Sequence, residues 1–233
     1  MKSKNLPGLA IALFLFVACQ KDMPLSEPQA PSEILKDSAS FTIDGKAYTS
    51  GKIEKGTTLT TQSNLKITSG VNFNYLLQGD KDSILFVRDY TIKANGSFMI
   101  ISFIKVYSNS ETESTQENNG GYLYYPKNKT DMFSVGRYKY STDFWRDNSI
   151  SGIAIRVISD RGDLKSYSQS DLGKPASVTQ ADQKESKFEI ISLQKRDSGY
   201  LLEAKFNLNV FDENKRSQKI ENGYLRCSVL VIY

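Results

Sequence analysis

Three Ser-x-x-Lys spacings occur in the chain, at Ser63–Lys66, Ser102–Lys105 and Ser192–Lys195. A serine–lysine dyad works at that spacing on a helix, where residues i and i+3 share a face. On a strand the same spacing sends the two side chains to opposite sides. All three fall in segments that read as strand or strand edge, so chance accounts for them. Histidine is absent, which removes Ser-His-Asp and Cys-His catalysis, imidazole acid–base work and every His-ligated metal. Of the two cysteines, Cys227 lies in Leu225-Arg226-Cys227-Ser228-Val229-Leu230-Val231. Apolar alternation puts it on one face with Leu225, Val229 and Val231, the pattern of a buried structural thiol rather than a nucleophile. No catalytic residue, metal ligand or cofactor is expected.

Oxygen chemistry remains. A glycoside hydrolase needs two carboxylates across a cleft; Asp143 and Asp147, flanking Phe144-Trp145-Arg146, are the pair to inspect, against the plainer reading of a solvated loop. A hard cation would need oxygen ligands. Asp160-Arg161-Gly162-Asp163 offers two carboxylates and a glycine turn but lacks the alternating acid series of a dedicated calcium loop. It reads as a hairpin turn after a strand at 153–158, and Arg161-Gly162-Asp163 also spells an adhesion tripeptide.

The densest binding feature is aromatic. Residues 122–145 hold Tyr122, Tyr124, Tyr125, Phe133, Tyr138, Tyr140, Phe144 and Trp145. Aromatic faces suit the apolar faces of sugar rings, with Arg137, Lys139 and Arg146 close by as polar contacts. Tyr122, Tyr124, Tyr125, Tyr138, Tyr140, Phe144 and Trp145 are the candidate ligand-binding residues. The alternative is that the stripe points inward, because β-cores also use aromatics heavily.

The elements that would position these residues are strands. Phe41-Thr42-Ile43 and Lys46-Ala47-Tyr48 flank Asp44-Gly45, a strong hairpin signal. Val71, Phe73, Tyr75 and Leu77 alternate with Asn72, Asn74 and Leu76. Residues 98–104 (FMIISFI) are apolar on both faces, as a doubly covered central strand would be. Ile153, Ile155 and Val157 alternate, and 200–211 with 224–232 read as a closing hairpin. No segment has a sustained helical period with caps at both ends. The expectation is all-β: an antiparallel β-sandwich, or a lipocalin-like or flattened β-barrel. Two polar stretches interrupt the pattern. Residues 108–121 read as a mobile, solvated loop, and 166–187 as a stretch that could hide a weak strand.

The amino terminus reads as an address. Lys2 and Lys4 precede an apolar run from Leu9 to Val17 and then Ala18-Cys19, a basic region, a short hydrophobic region and a small residue before the cut. The run is shorter than the ~20 residues that cross a bilayer. Leu15-Phe16-Val17-Ala18-Cys19 resembles the loose lipobox of Bacteroidetes-type bacteria, which implies cleavage after residue 18 and lipidation, palmitate included, at Cys19. Gln20-Lys21-Asp22 resembles their surface-export signal, which implies an outer-membrane lipoprotein on the cell surface, with a periplasm-facing orientation as the alternative. Residues 19–39 then form a tether with Pro24, Pro28 and Pro31, too polar to fold and reaching up to about 60 Å at roughly 3 Å per residue. Asp37-Ser38-Ala39 and Asp82-Ser83-Ile84 fit the loose O-glycosylation pattern of the same bacteria, Ser38 being the more accessible. Phe41-Thr42-Ile43-Asp44-Gly45-Lys46-Ala47-Tyr48, Gly136-Arg137-Tyr138, Phe188-Glu189-Ile190 and Phe206…Gly223-Tyr224-Leu225 resemble, in order, the domain of small uncharacterised Bacteroidetes lipoproteins. That resemblance implies a single β-sandwich-like domain over 40–233 and carries over no functional residue.

Composition bounds the partners. Hydrophobic residues make up 39% and charged residues 24%, enough apolar matter for a core, and 13 Tyr with 12 Phe favour strands. Losing Lys2 and Lys4 with the leader lowers the basic residues from 30 to 28 against 26 acids. No Lys/Arg-rich run exists, so nucleic acid is not an expected partner. The expected partners are the membrane, through the lipid on Cys19, and a glycan or a protein. The leading reading is a non-enzymatic binding module, ahead of a lipocalin-like carrier and a carboxylate-based hydrolase.

Overall fold

The computed structural model describes residues 36–62, 82–94, 96–116, 122–128, 130–160, 162–168, 175–196 and 199–229. The leader, Cys19, the proline tether and the 71–77 alternation lie outside the described residues. Within them the chain is all-β, its strands pair antiparallel, and two short 3-10 turns lie at Asn109–Glu111 and Asp131–Phe133, with one isolated parallel bridge at Tyr140–Ile153.

The chain opens on β1 (Ser38–Ile43) and β2 (Lys46–Ser50), joined as expected through Asp44 and Gly45 at φ 47° and 78°. Both central residues of this tight turn need positive φ, which aspartate tolerates and glycine adopts freely. The compact unit begins at Lys36, and Asp37 already accepts hydrogen bonds from the Ser228 amide and hydroxyl. The last residues assigned to the tether therefore belong to the sheet. Ser38 lies half-buried in β1 and Ser83 is buried, so neither glycosylation triplet stands free.

β2 pairs with β1, but two residues later β3 (Ile53–Gln62) pairs with β4 (Ser83–Ala94). One extended segment thus leaves one layer and enters the other. The rest of the path runs through β5 (Ser97–Ser108), β9 (Gly152–Ser159), β10 (Gly162–Lys165), β12 (Gly199–Phe211) and β13 (Ser217–Val229) back to β1. Since β2 and β3 are covalently continuous, the sheet returns on itself as a flattened barrel, which in cross-section is a two-layer sandwich. The seam between β10 and β12 is one residue pair wide, Lys165–Phe211. Beside it, β11 (Lys187–Arg196) pairs with β12 and with the three-residue β8 (Gly136–Tyr138).

Alternation fills the interior. Phe103 of β5 meets Phe188 of β11 edge-on at 5.7 Å between ring centroids, and Phe188 stacks on Phe206 at 5.8 Å. Phe41, Tyr48, Phe86, Tyr90, Ile101, Ile155, Leu225, Cys227 and Val229 belong to the same cluster. Cys227 is fully buried with Leu225 and Val229, and burial pushes its thiol well above the ordinary range. The doubly covered strand is present with a limit: Ile101–Ile104 are buried on both faces, while Phe98 is 40% exposed. The outer cover is a second cluster of Leu85, Val87, Ile104 and Ala154 under Phe144 and Tyr167.

Two expectations are corrected. Residues 112–116 are not loop but β6 (Thr112–Gln116), which pairs with β7 (Tyr122–Pro126) in a separate two-stranded sheet. Its side chains are largely solvated, and the ladder alone makes it a strand. Residues 175–186 hold turns rather than a strand, and work through side chains. Gln183 donates Nε2 to the Asn209 carbonyl (2.7 Å) and the Ser166 carbonyl (3.1 Å), and its Oε1 accepts from Ser186 Oγ (2.6 Å). A buried amide thereby completes the β12 ladder where β11 has ended and β10 has not begun.

Candidate functional site

The aromatic segment divides. Tyr140 and Phe144 are 3% and 2% exposed, so they form core and not a platform. Tyr140 Oη donates toward the Lys187 and Asn207 carbonyls, both at 3.2 Å, and burial raises its pKa strongly. Tyr138 packs against the same core with its hydroxyl on the Ser134 carbonyl (2.8 Å). Burial first, then the Asp131 charge, push that hydroxyl up to about 12. The physical reason is parity: Tyr138 and Tyr140 point inward, which turns Arg137 and Lys139 out. Phe133 is buried beside Phe103 at 5.2 Å. Tyr124 and Tyr125 are half-exposed on β7, with Tyr125 Oη 3.0 Å from Thr115 Oγ1 across the hairpin. The Tyr122 side chain lies outside the described residues.

Trp145 is different. It is 39% exposed, and its ring rests on buried Phe144 at 5.0 Å. Its φ is 60°, a left-handed conformation that costs a bulky residue of order 1–3 kcal/mol. Asp143 holds the loop in that state. Its carbonyl accepts the amides of Arg146 (2.9 Å), Asp147 (3.0 Å) and Asn148 (3.2 Å). Its carboxylate accepts the Ser149 amide and hydroxyl, each at 2.7 Å. Asn148, also left-handed at φ 53°, accepts the Trp145 amide on Oδ1 at 2.9 Å. The neck of the loop is closed by Ile153 N–H on the Lys139 carbonyl (2.9 Å) and Ser141 N–H on the Ile153 carbonyl (2.8 Å). A tryptophan is thus kept half out of the protein by a rigid turn.

The Asp143–Asp147 pair has separate roles. Asp143 is buried and its carboxylate is taken up by loop donors, whereas Asp147 is in solvent, 3.5 Å from Arg146. The Arg146 side chain is only 14% exposed, so it is not the open polar contact the sequence suggested. The Asp160–Asp163 stretch is the hairpin turn between β9 and β10. Asp163 accepts Arg156 through two bonds of 2.8 Å and Lys165 at 3.1 Å; burial opposes ionisation, but these cations outweigh it and lower its pKa. The Asp163 carboxylate is thus shared between Arg156 and Lys165. Arg161 lies outside the described residues. No group of three metal-ligating side chains occurs among the described residues. Ser102 hydrogen-bonds Asp89 while Lys105, on the opposite face of β5, pairs with Asp131, and Ser192 with Lys195 lies on β11. Ser63 and Lys66 lie outside the described residues.

An open cleft of about 350 Å³ borders the neck of the Trp145 loop, between β8 and the ends of β5 and β9. Sequence reasoning missed its floor, where Asp131 lies between Lys105 and the Tyr107 hydroxyl, the latter at 2.6 Å. A strand-parity signal for Lys105 and Tyr107 existed, but nothing in the chain linked them to residue 131. A second open cleft of about 430 Å³ lies across β11, β12 and β13, beside Lys187, Lys205, Asn207 and Tyr224. No helix among the described residues is long and apolar enough to cross a membrane. No protein-family model, curated protein or solved structure matches the chain.

Proposed function

We propose that this chain is a non-enzymatic binding module whose loop 141–150 offers Trp145 as a platform for a glycan ring. The observation that carries the reading is the cost accepted to present that ring. A tryptophan in the left-handed region, braced by Asp143 and Asn148, stands outside the buried cluster to which Phe144 belongs. Strain held in place by a network of hydrogen bonds is a feature of ligand clamps. The flat indole face, lying on a fixed base, suits the apolar face of a pyranose. In the same reading the lipid on Cys19 tethers the module to the outer membrane, with the domain displayed at the cell surface as in the Bacteroidetes-type lipoproteins its leader resembles.

The alternatives find less support. A lipocalin-like carrier needs an apolar void, and here interior positions carry rings packed on one another. A carboxylate hydrolase needs two free acids, and Asp143 is occupied by Ser149. The test is a glycan-array screen of the full chain beside Trp145→Ala, with folding of both checked by circular dichroism. Selective binding that disappears in the variant is the expected result. A folded protein that binds no glycan would overturn the reading and leave a protein partner in its place.

A further inference from the structure

We infer that the cleft beside the Trp145 loop is an anion subsite, and that the glycan taken by this module is an acidic one carrying carboxylates. This rests on the glycan reading above and deepens it. Three cations line the cleft, Lys105, Arg137 and Lys139, against one acid, Asp131. Both oxygens of that acid are spoken for: Oδ2 pairs with Lys105 and Oδ1 accepts the Tyr107 hydroxyl. Asp131 therefore neutralises Lys105 and also fixes it, with the ammonium held 4.9 Å over the Tyr107 ring.

Arg137 and Lys139 are left over. They sit two residues apart, Arg137 on β8 and Lys139 just past its end, both exposed, and neither makes an ion pair or side-chain hydrogen bond among the described residues. Glu189 stands opposite Arg137 in the ladder without coming into salt-bridge range. Two unpaired cations at the mouth of a concave site, above a floor whose charges already cancel, give a local excess of positive potential that low-dielectric walls focus. A guanidinium matches a carboxylate in two-pronged fashion, and the lysine adds a point charge.

Place also matters. Lys139 and Gly152 line the cleft and form the neck of the Trp145 loop, where Gly152 lets the Lys139 carbonyl approach closer than any Cβ would permit. The subsite and the indole are thus two ends of one braced unit. A uronate-type chain would set a ring face on Trp145 and a carboxylate near Arg137 and Lys139.

The experiment is affinity electrophoresis and titration calorimetry of the detergent-solubilised full chain with polygalacturonate, dextran sulfate and neutral dextran. Wild type, Arg137→Ala/Lys139→Ala and Trp145→Ala are compared. Both cations are exposed, so the double variant keeps the fold, which circular dichroism verifies. We expect polygalacturonate to bind and neutral dextran not to. The double variant should weaken binding about tenfold, the combined effect of two solvent-facing charges, and binding should fall as salt rises. Equal affinity for neutral and acidic polymers, unchanged in the double variant but lost in Trp145→Ala, overturns the anion subsite and keeps the platform. Loss in the double variant alone keeps the subsite and removes the platform. Dextran sulfate binding without polygalacturonate refutes the carboxylate assignment, and no binding to any of the three overturns both readings.

Discussion

Gln183→Ala tests whether one buried amide holds the barrel seam. Gln183 is 5% exposed and its side chain makes four hydrogen bonds: to the Ser166 and Asn209 carbonyls, from Ser186 Oγ, and from the Asn209 amide at 3.3 Å. Not all four count equally. The Asn209 amide keeps Ser186 Oγ at 3.2 Å, and the serine hydroxyl can turn. The Ser166 and Asn209 carbonyls lose the Gln183 Nε2 donor, Ser166 in a fully buried place and Asn209 in a partly buried one. An orphaned buried acceptor costs about 1–3 kcal/mol, so the variant should lose roughly 2–4 kcal/mol. For a domain of this size each kcal/mol moves Tm by about 2–4 °C, which gives a fall of roughly 5–15 °C by calorimetry. Gln183→Glu keeps the shape but replaces the NH2 donor by an acceptor facing two carbonyls. It should be at least as damaging at neutral pH and recover in part on acidification. Gln194→Ala, exposed on β11, should change stability by no more than about 0.5 kcal/mol. A Gln183→Ala protein melting within about 1 °C of wild type would refute the claim that side chains carry the ladder there.

Other outcomes follow from the same geometry. Burial raises the pKa of Asp89, against a smaller opposing effect of its hydrogen bond with Ser102. A carboxyl whose folded pKa lies above its unfolded value opposes folding when ionised, and that penalty fades as pH falls toward the unfolded value near ~3.9. Asp89→Asn should therefore raise Tm at pH 7, with the gain closing on acidification; a lower Tm at pH 7 would refute the sign. Phe188→Ala removes the ring that joins Phe103, Phe206 and Tyr138 and should cost about 3–5 kcal/mol in denaturant titration. Gly152→Ala sets a methyl against the Lys139 carbonyl and should cost about 1–3 kcal/mol. Because Trp145 is the single tryptophan, its emission should shift in that variant, reporting a loosened loop; an unchanged spectrum would show that the neck does not hold it. Cys227 should resist thiol reagents in the native protein and react on unfolding, since burial shields it and disfavours the thiolate.

The sequence by itself determined what depends on local periodicity and on residue type. Period-two alternation set the strands around Phe41, Ile153, Leu202 and Leu225 and which side chains they bury. Asp44-Gly45 set the first hairpin, because only particular residues accept its dihedral angles. The lack of histidine bounded the chemistry wherever the chain went. Alternation does not say which strand is neighbour to which, and so did not reveal that β2 and β3 are one segment shared by two layers, or that β6 pairs with β7. The inward set Tyr138, Tyr140 and Phe144 could not be separated from outward Trp145 by composition, because all four are aromatic. A left-handed turn braced by Asp143 separates them. Nor could spacing bring Lys105, Asp131 and Arg137 to one cleft, or Gln183 to the edge of β12. The Lys105–Asp131 and Gln183–Asn209 contacts each join residues 26 apart, through loops whose paths are fixed by the core they cover. Pattern is a property of the local chain and was legible; proximity between distant segments is a product of closure, and only the folded barrel decided it.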